Sequence, residues 1–388
     1  MELDKTAEPF RHDMVAGLIA DGHIVSPQWR AAFAAVPRHV FLPYFFNLDN
    51  AGMWEPVTVE TADEATWLGQ IYSNRTCVTQ INGDTTPVDV QSAVTGAATS
   101  SSTEPGLMAD LLEALELDDG MSVIEIGTGT GYNAALLCER LGADNVTSIE
   151  IDPNVSEQAA SRLRKTGYSP RLLVGDGANT DGLKADRLIA TCSFPTVPDA
   201  WLDLVKPGGI IITTIYTRPL GMSILKLRVG DGRANGAFIV PGSGFMETRQ
   251  QPRRGPVRFP APEEIKAAAA RPSGWTPADL EDFVIGFLAG WVLGDASYYL
   301  ADDETPTMII DHASDSWVAF EIEGEQSLVR EGGKRRVWQA VEQILTAWQR
   351  NGDRDLSGFR YEIVGGQGGH DAISSPGIGV KWQRFRSE

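Results

Sequence analysis

Between residues 105 and 216 the apolar positions switch between two periods. Leu107, Met108, Leu111, Leu112 and Leu115 recur at helical spacing behind Pro105, which predicts a helix starting there. VIEI (123–126) reads as a buried strand and NAALLCERL (133–141) as a helix. VTSIEI (146–151) reads as the next strand, and VSEQAASRLRKTG (155–167) as a helix ending at Gly167. RLLV (171–174), DRLIAT (186–191) and IIITTI (210–215) are short aliphatic or β-branched runs bounded by Gly or Asp, hence strands. Strands that alternate with helices imply a parallel sheet covered on both faces. LKLRV (225–229) and AFIV (237–240) read as a closing antiparallel pair.

The flanks are patterned differently. Residues 1–100 mix helical pattern with Pro-, Gly- and Thr-rich loops, and TSSSTEP (99–105) reads as a polar loop. RQQPRRGPVR (249–258) is basic and Pro-containing within an acidic chain, which places a boundary near residue 255. Beyond it, Thr276-Pro277 looks like a helix cap. Leu280, Phe283, Val284, Phe287, Leu288 and Trp291 then follow as one amphipathic helix. TMIID (307–311), WVAFEIE (317–323) and FRYEIV (359–364) read as strands, and Val337, Val341, Ile344, Leu345 and Trp348 mark another helix. Trp291, Trp338 and Trp348 are expected in its core. The reading is therefore a helical and loop segment at 1–100, a ligand-binding core at 101–255, and a C-terminal α+β domain at 256–388.

Composition narrows the chemistry. The 388 residues carry 33 Lys plus Arg against 52 Asp plus Glu, a formal charge of −19. Such a chain is a poor partner for nucleic acid or an anionic membrane surface. Three dispersed Cys form no CxxC pair and five His form no HExxH, so neither a disulfide framework nor a metal site is expected. The N-terminus lacks an apolar targeting core, and Phe283–Leu293 is too short to span a bilayer, which predicts a soluble protein of a reducing cytoplasm.

Glu125-Ile126-Gly127-Thr128-Gly129-Thr130-Gly131 follows a strand and opens a helix. Glycines there allow a tight turn and close approach of a ligand to the backbone. The spacing is neither G-x-G-x-x-G nor a P-loop, and a Glu at the mouth of the turn would repel a pyrophosphate. Glu150 ends the next strand, where a carboxylate can hold ribose hydroxyls, and Asp176 in VGDG ends the third, where an adenine amino group would lie. Each has a plainer reading alone: a tight turn, a solvated strand end, a turn-former. In order, each on its own strand end, they fit S-adenosylmethionine, which is cationic, nucleoside-bearing and phosphate-free. The segment Thr191 to Pro195 would line the same cleft through Cys192.

VPRHVFLP (36–43), the Ser/Thr-Pro segment, VIEIGTGTGYNAALL (123–137), VTSIEID (146–152), VGDG (174–177), VPDAWLDLVKPGG (197–209) and FMETR (245–249) resemble the protein-L-isoaspartate O-methyltransferases over about residues 12–255. The resemblance implies a class I S-adenosylmethionine-dependent methyltransferase fold, Rossmann-like with a mainly parallel seven-stranded sheet. It implies a cofactor site of Glu125, Ile126, Gly127, Thr128, Gly129, Gly131, Tyr132, Asn133, Glu150, Ile151, Asp176, Gly177 and Cys192, releasing S-adenosylhomocysteine. Thr103, with Ser102 and Ser101, stands where the family carries its substrate Ser. The family's glycine-and-histidine stretch before it is replaced by TPVDVQSAVTG (86–96), and the repair enzymes generally end near the start of the C-terminal region. Long relatives resemble methyltransferases that tailor lanthipeptides, lasso peptides and graspetides.

A carboxylate is already ionised at neutral pH and needs no general base, in keeping with a sequence that offers no obvious His or Lys base beside the motifs. The expected reaction is methylation of an Asp carboxylate in a macrocyclic ribosomal peptide, leading through a succinimide to isoaspartate. The alternatives are general isoaspartyl repair and a non-catalytic scaffold that binds the cofactor and a maturation partner. Lys334, Arg335 and Arg336, or Arg249, Arg253, Arg254 and Arg258, are candidates to steer an acidic peptide, set against the plainer reading of a solvated helix end.

Overall fold

The computed structural model describes all residues except 1, 218–220, 250–256, 302–305, 324–325, 353–354, 357, 367–368 and 386–388. Arg253 and Arg254 lie outside the described residues. The chain forms two compact units, 1–192 with 198–212 and 228–231, and 193–197 with 213–227 and 232–388. The division thus falls inside the strand Val205–Tyr216 and not at the expected boundary near 255. The reason is pairing: Arg233–Ala237 lies antiparallel to Arg360–Val364, so this stretch belongs with the C-terminal residues.

In the first unit, Val123–Ile126 lies parallel between Val146–Glu150 and Ala185–Phe194, with Arg171–Val174 outside Val146–Glu150. All four residues of Val123–Ile126 are buried, as a strand covered on both faces requires. The helix Tyr132–Leu141 follows the first strand and Pro153–Lys165 the second. Asp152 caps the latter, accepting from the Asn154 and Val155 amides, with Pro153 at its first position. The helix Pro105–Ala114 starts at the expected Pro, and Leu107, Met108, Leu111, Leu112 and Leu115 are all buried.

Residues 1–100 are not only helix and loop. Trp54–Thr58, Tyr44–Leu48, Cys77–Ile81 and Ala98–Ser102 form a four-stranded sheet in that order. The polar run expected as a loop is therefore the edge strand, with Ser102 opposite Cys77 and Ser101 opposite Val78. A Thr-Ser-Ser-Ser run has no apolar alternation to announce a strand. The fully buried Cys77–Ile81 supplies the partner that makes it one.

In the second unit, Ala270–Ser273, Gln326–Gly332, Ser316–Glu323, Met308–Asp311 and Ala296–Tyr299 form a five-stranded antiparallel sheet. Arg360–Val364, His370–Ser375 and Val380–Phe385 pair outward in turn from Arg233–Pro241 within this unit. The helix expected from Thr276 to Trp291 is broken. Thr276 caps a 3-10 turn, Pro277–Glu281, and Asp282, extended at ψ 129°, caps a new helix, Phe283–Leu293. That helix is buried nearly all round and not amphipathic, with Phe283 alone of its apolar anchors exposed. Trp291 and Trp338 are core; Trp348 is half-buried against Trp275.

Two of the basic triplet before Val337–Asn351, Arg335 and Arg336, make contacts within the fold. Arg335 pairs at 2.8 Å with Asp311, which has no exposed side-chain surface, and Arg336 donates to the Glu331 carbonyl. Glu331 Oε1 accepts the Trp338 amide at 2.7 Å, so a carboxylate from a neighbouring strand offsets the cations at this helix start. Arg335 and Arg336 thus carry structural contacts at this helix start. Arg258 likewise pairs with Glu264.

Candidate active site

The site is built at the carboxyl edge of the parallel strands of the first unit. Gly127, Gly129 and Gly131 all adopt positive φ, 94°, 54° and 88°, a turn that side-chain-bearing residues strain to make. The Gly129 amide donates to Glu150 Oε2 at 2.9 Å, and the Asp152 amide to Glu150 Oε1 at 3.1 Å. Each carboxylate oxygen keeps a further lone pair for a ligand hydroxyl. Thr191 Oγ1 donates to the Gly127 carbonyl at 2.7 Å and fixes the loop from the opposite strand.

Glu125 does not stand in the mouth of this turn. It is fully buried beneath it, with Oε1 accepting from Asn133 Nδ2 at 2.7 Å and Oε2 from Ser148 Oγ. Ser148 Oγ also meets Thr128 Oγ1 at 2.6 Å. Burial pushes the Glu125 carboxyl up to about 7, against the pull of its Ser148 and Asn133 bonds. Its work is to lock the turn onto the strand and helix on either side. A Glu in the middle of VIEI points into the sheet's covered faces, whereas Glu150 at a strand's end accepts the backbone amides of Gly129 and Asp152.

Asp176 follows the third strand, half-buried, and accepts from the Ala178 amide and Asn179 Nδ2. Next to it the Gly177 carbonyl accepts Trp201 Nε1 at 2.8 Å, and a Cβ on Gly177 would stand 2.4 Å from Ile126 Cγ2. The Cys192 thiol is pushed up by burial first and then by the charges of Glu150 and Asp176. Ile151 is half-buried in the bend between Glu150 and Asp152. Tyr132 turns away, its ring packed against Phe33 and Phe41. Two carboxylates around a backbone cradle, with no Lys or Arg among them, suit a cationic nucleoside and not a phosphate.

The substrate segment comes close to the cradle. A Cβ on Gly129 would lie 3.6 Å from the Ser101 carbonyl oxygen. Gln80 joins the two regions, accepting from Thr99 Oγ1 at 3.0 Å and donating to Asp152 Oδ2 at 3.5 Å. The hydroxyls of Ser101, Ser102 and Thr103 have no hydrogen-bond partner among the described residues. Ser148, Thr191, Gln80 and Arg38 were not singled out from sequence as site residues. Arg38 and Ser148 lie within VPRHVFLP and VTSIEID, and Thr191 opens the segment expected to line the cleft, whereas Gln80 gains its place only through its strand neighbours. Among the described residues no group of His, Cys, Asp or Glu could hold a metal ion, and no helix is long and apolar enough to cross a membrane.

Comparison with known proteins agrees with this geometry. The family model for protein-L-isoaspartate(D-aspartate) O-methyltransferase matches residues 78–234. The protein-L-isoaspartate O-methyltransferase of Thermococcus onnurineus is 35% identical over 164 residues, 40% of this chain and 73% of that protein. That of Methanopyrus kandleri is 31% identical over 259 residues, 63% of this chain and 98% of that protein. A solved structure titled protein-L-isoaspartate O-methyltransferase superposes with a TM-score of 0.53 at 19% identity, covering 94% of this chain and 99% of that one. That superposition includes the C-terminal region, so the expectation that such enzymes end before it does not hold for that chain. From the glycine cradle, the ordered acids and these relatives together, the chain belongs to the protein-L-isoaspartate O-methyltransferase family and is an S-adenosylmethionine-dependent carboxyl methyltransferase.

Proposed function

We propose that the chain methylates the side-chain carboxylate of an aspartyl residue held in a constrained, macrocyclic peptide of ribosomal origin. The observation that supports a carboxylate substrate is the set of unengaged hydroxyls on Ser101, Ser102 and Thr103, beside the cradle of Gly129. Ser101 and the buried Ser102 point to opposite faces of the strand end, so Ser101 and Thr103 in the turn after it are the donors that can hold a carboxylate without neutralising it. S-adenosylmethionine, when bound, supplies an electrophilic methyl carbon whose sulfonium leaves as a neutral thioether.

Glu150 and Asp176 would take the ribose and adenine, and the positive-φ loop would admit the amino-acid end against backbone. The substrate carboxylate is already ionised, so the protein has no proton to remove in this step. What it contributes is alignment and the exclusion of water. In the resulting ester, the backbone nitrogen of the next residue attacks the ester carbonyl, its proton leaves with methoxide as methanol, and a succinimide closes. Addition of one water to the succinimide gives aspartate or isoaspartate.

The replacement of the family's glycine-and-histidine stretch by residues 86–96 supports a substrate other than a flexible damaged peptide. A second reading, repair of isoaspartyl residues, is favoured by the names of the relatives at 31–35% identity. The test is incubation with S-adenosylmethionine and either a cyclised aspartyl peptide or a linear isoaspartyl peptide, followed by mass. A gain of one methylene marks the ester, and loss of one water marks the succinimide. Turnover of the linear isoaspartyl peptide with none of the cyclic one would replace the first reading by the second.

A further inference from the structure

We infer that Arg38 is a positioning residue for the substrate segment and the source of the positive potential that a substrate carboxylate meets there. Its side chain has no exposed surface. One terminal nitrogen donates to the carbonyls of Ile71 and Ser73, the second at 3.2 Å. The other donates to those of Arg75 at 3.1 Å and Thr103 at 3.0 Å. Three of the four acceptors lie in the turn 71–75, and the fourth is the backbone of the candidate substrate residue. Two further bonds strap the same stretch to the same turn: Glu104 N to Thr76 Oγ1 at 3.2 Å and Gly106 N to Asn74 Oδ1 at 2.7 Å.

The charge balance is unusual. In a chain with 52 acids and 33 bases, Arg38 makes no ion pair among the described residues. The groups whose charge acts on it are Cys77, Tyr132, Tyr72 and Arg75, none of them a carboxylate. Arg75 itself bonds to the neutral acceptors Asn47 Oδ1 at 2.7 Å and Gln70 Oε1 at 3.4 Å. A buried cation held by carbonyl dipoles and the Tyr132 ring face at 5.8 Å, with its Nε unpartnered among the described residues, is costly, and an anion arriving nearby recovers part of that cost. The planar fork reaches four carbonyls at once, which an ammonium on a flexible stem cannot do.

This inference rests on the reading that Ser101 and Thr103 receive a carboxylate. The test uses full-length wild type, Arg38→Met and Arg38→Lys, each with S-adenosylhomocysteine present so that nothing turns over. Calorimetry measures binding of a cyclised aspartyl peptide, a linear isoaspartyl peptide and the side-chain amide counterpart of each. Wild type should prefer an acid over its amide by about tenfold. In Arg38→Met that preference should collapse to within about twofold, with S-adenosylhomocysteine affinity unchanged. Arg38→Lys should keep the preference while weakening acid and amide alike.

A folded Arg38→Met that discriminates as well as wild type overturns the inference, as does parallel loss of S-adenosylhomocysteine affinity. Should Arg38→Met fail to fold, Arg38→Lys with undiminished peptide affinity overturns it equally. A wild type that binds peptides without preferring the acid defeats the inference and leaves methylation to be judged by mass. A wild type that binds none of the peptides removes the methylation reading, and this one with it.

Discussion

The Gly129 amide points at Glu150 Oε2 from 2.9 Å, so the turn after one strand is held by the carboxylate that ends the next. A single side chain thus shapes the cradle and offers its remaining lone pairs to the ligand. Glu150→Ala should lower affinity for S-adenosylhomocysteine at least tenfold, on the order of 2 kcal/mol for a charged hydrogen-bonding group. Calorimetry on a folded variant checks this, and unchanged affinity would remove Glu150 from the site.

Glu125, one strand away, gives a pH signature. Its carboxyl is raised from 4.5 to about 7, chiefly by burial. Across that window the folded chain retains a proton that the unfolded chain has released. Its contribution is therefore full below the lower value and is lost as pH rises through the upper one, up to about 3 kcal/mol. Glu125→Gln should flatten that decline. Denaturant midpoints at about pH 5 and about pH 8 compare the two; parallel curves would contradict the assignment.

The hydroxyl trio separates substrate from cofactor. Ser101→Ala, Ser102→Ala and Thr103→Val together should raise KM for a peptide acid by about tenfold or more while the S-adenosylhomocysteine Kd stays put. Loss of both affinities together would make the segment part of the cofactor site.

Gly177 and Ile126 should show strong coupling. A Cβ at Gly177 meets Ile126 Cγ2 at 2.4 Å, and a β-branched side chain in a buried strand cannot swing away. Gly177→Ala alone should cost about 1–3 kcal/mol of stability, and Ile126→Ala in the same chain should recover part of it. Additive losses in the double-mutant cycle would show the contact to be slack.

In the second unit, Arg335→Ala leaves Asp311 buried without its cation. Stability should fall by about 1–3 kcal/mol, with Arg335 itself partly exposed, and salt should not alter peptide KM. A salt-dependent KM would return Arg335 to the steering role that its position in the sequence suggested.

Much of the first unit was legible before folding because its signals are local. Periods switch from helix to strand at Gly and Asp punctuation, and the strands at 123–126, 146–150 and 171–174 fall where those periods place them. The glycine loop and the acids after each strand follow from the same register. The edge strand Ala98–Ser102 was not legible, since its pairing partner lies some twenty residues away and its own side chains carry no alternation. Asp282 was hidden too: the apolar spacing ran through it unbroken, and only its extended backbone and two amide contacts end one helix and begin another.

The sequence by itself determined where backbone must turn tightly, which strands lie parallel, and that acids rather than bases follow them, because these depend on neighbours in the chain. Tertiary structure alone decided what each charge does. Glu125 and Glu150 belong to the same short motif set and both are buried, yet one bonds to side chains beneath the turn and the other accepts backbone amides of the turn and of the helix cap after it. Arg335 and Arg38 look alike on paper, but one neutralises a buried acid and the other makes no ion pair among the described residues. The energy of a charge is set by what surrounds it in space, and that is not written in its place along the chain.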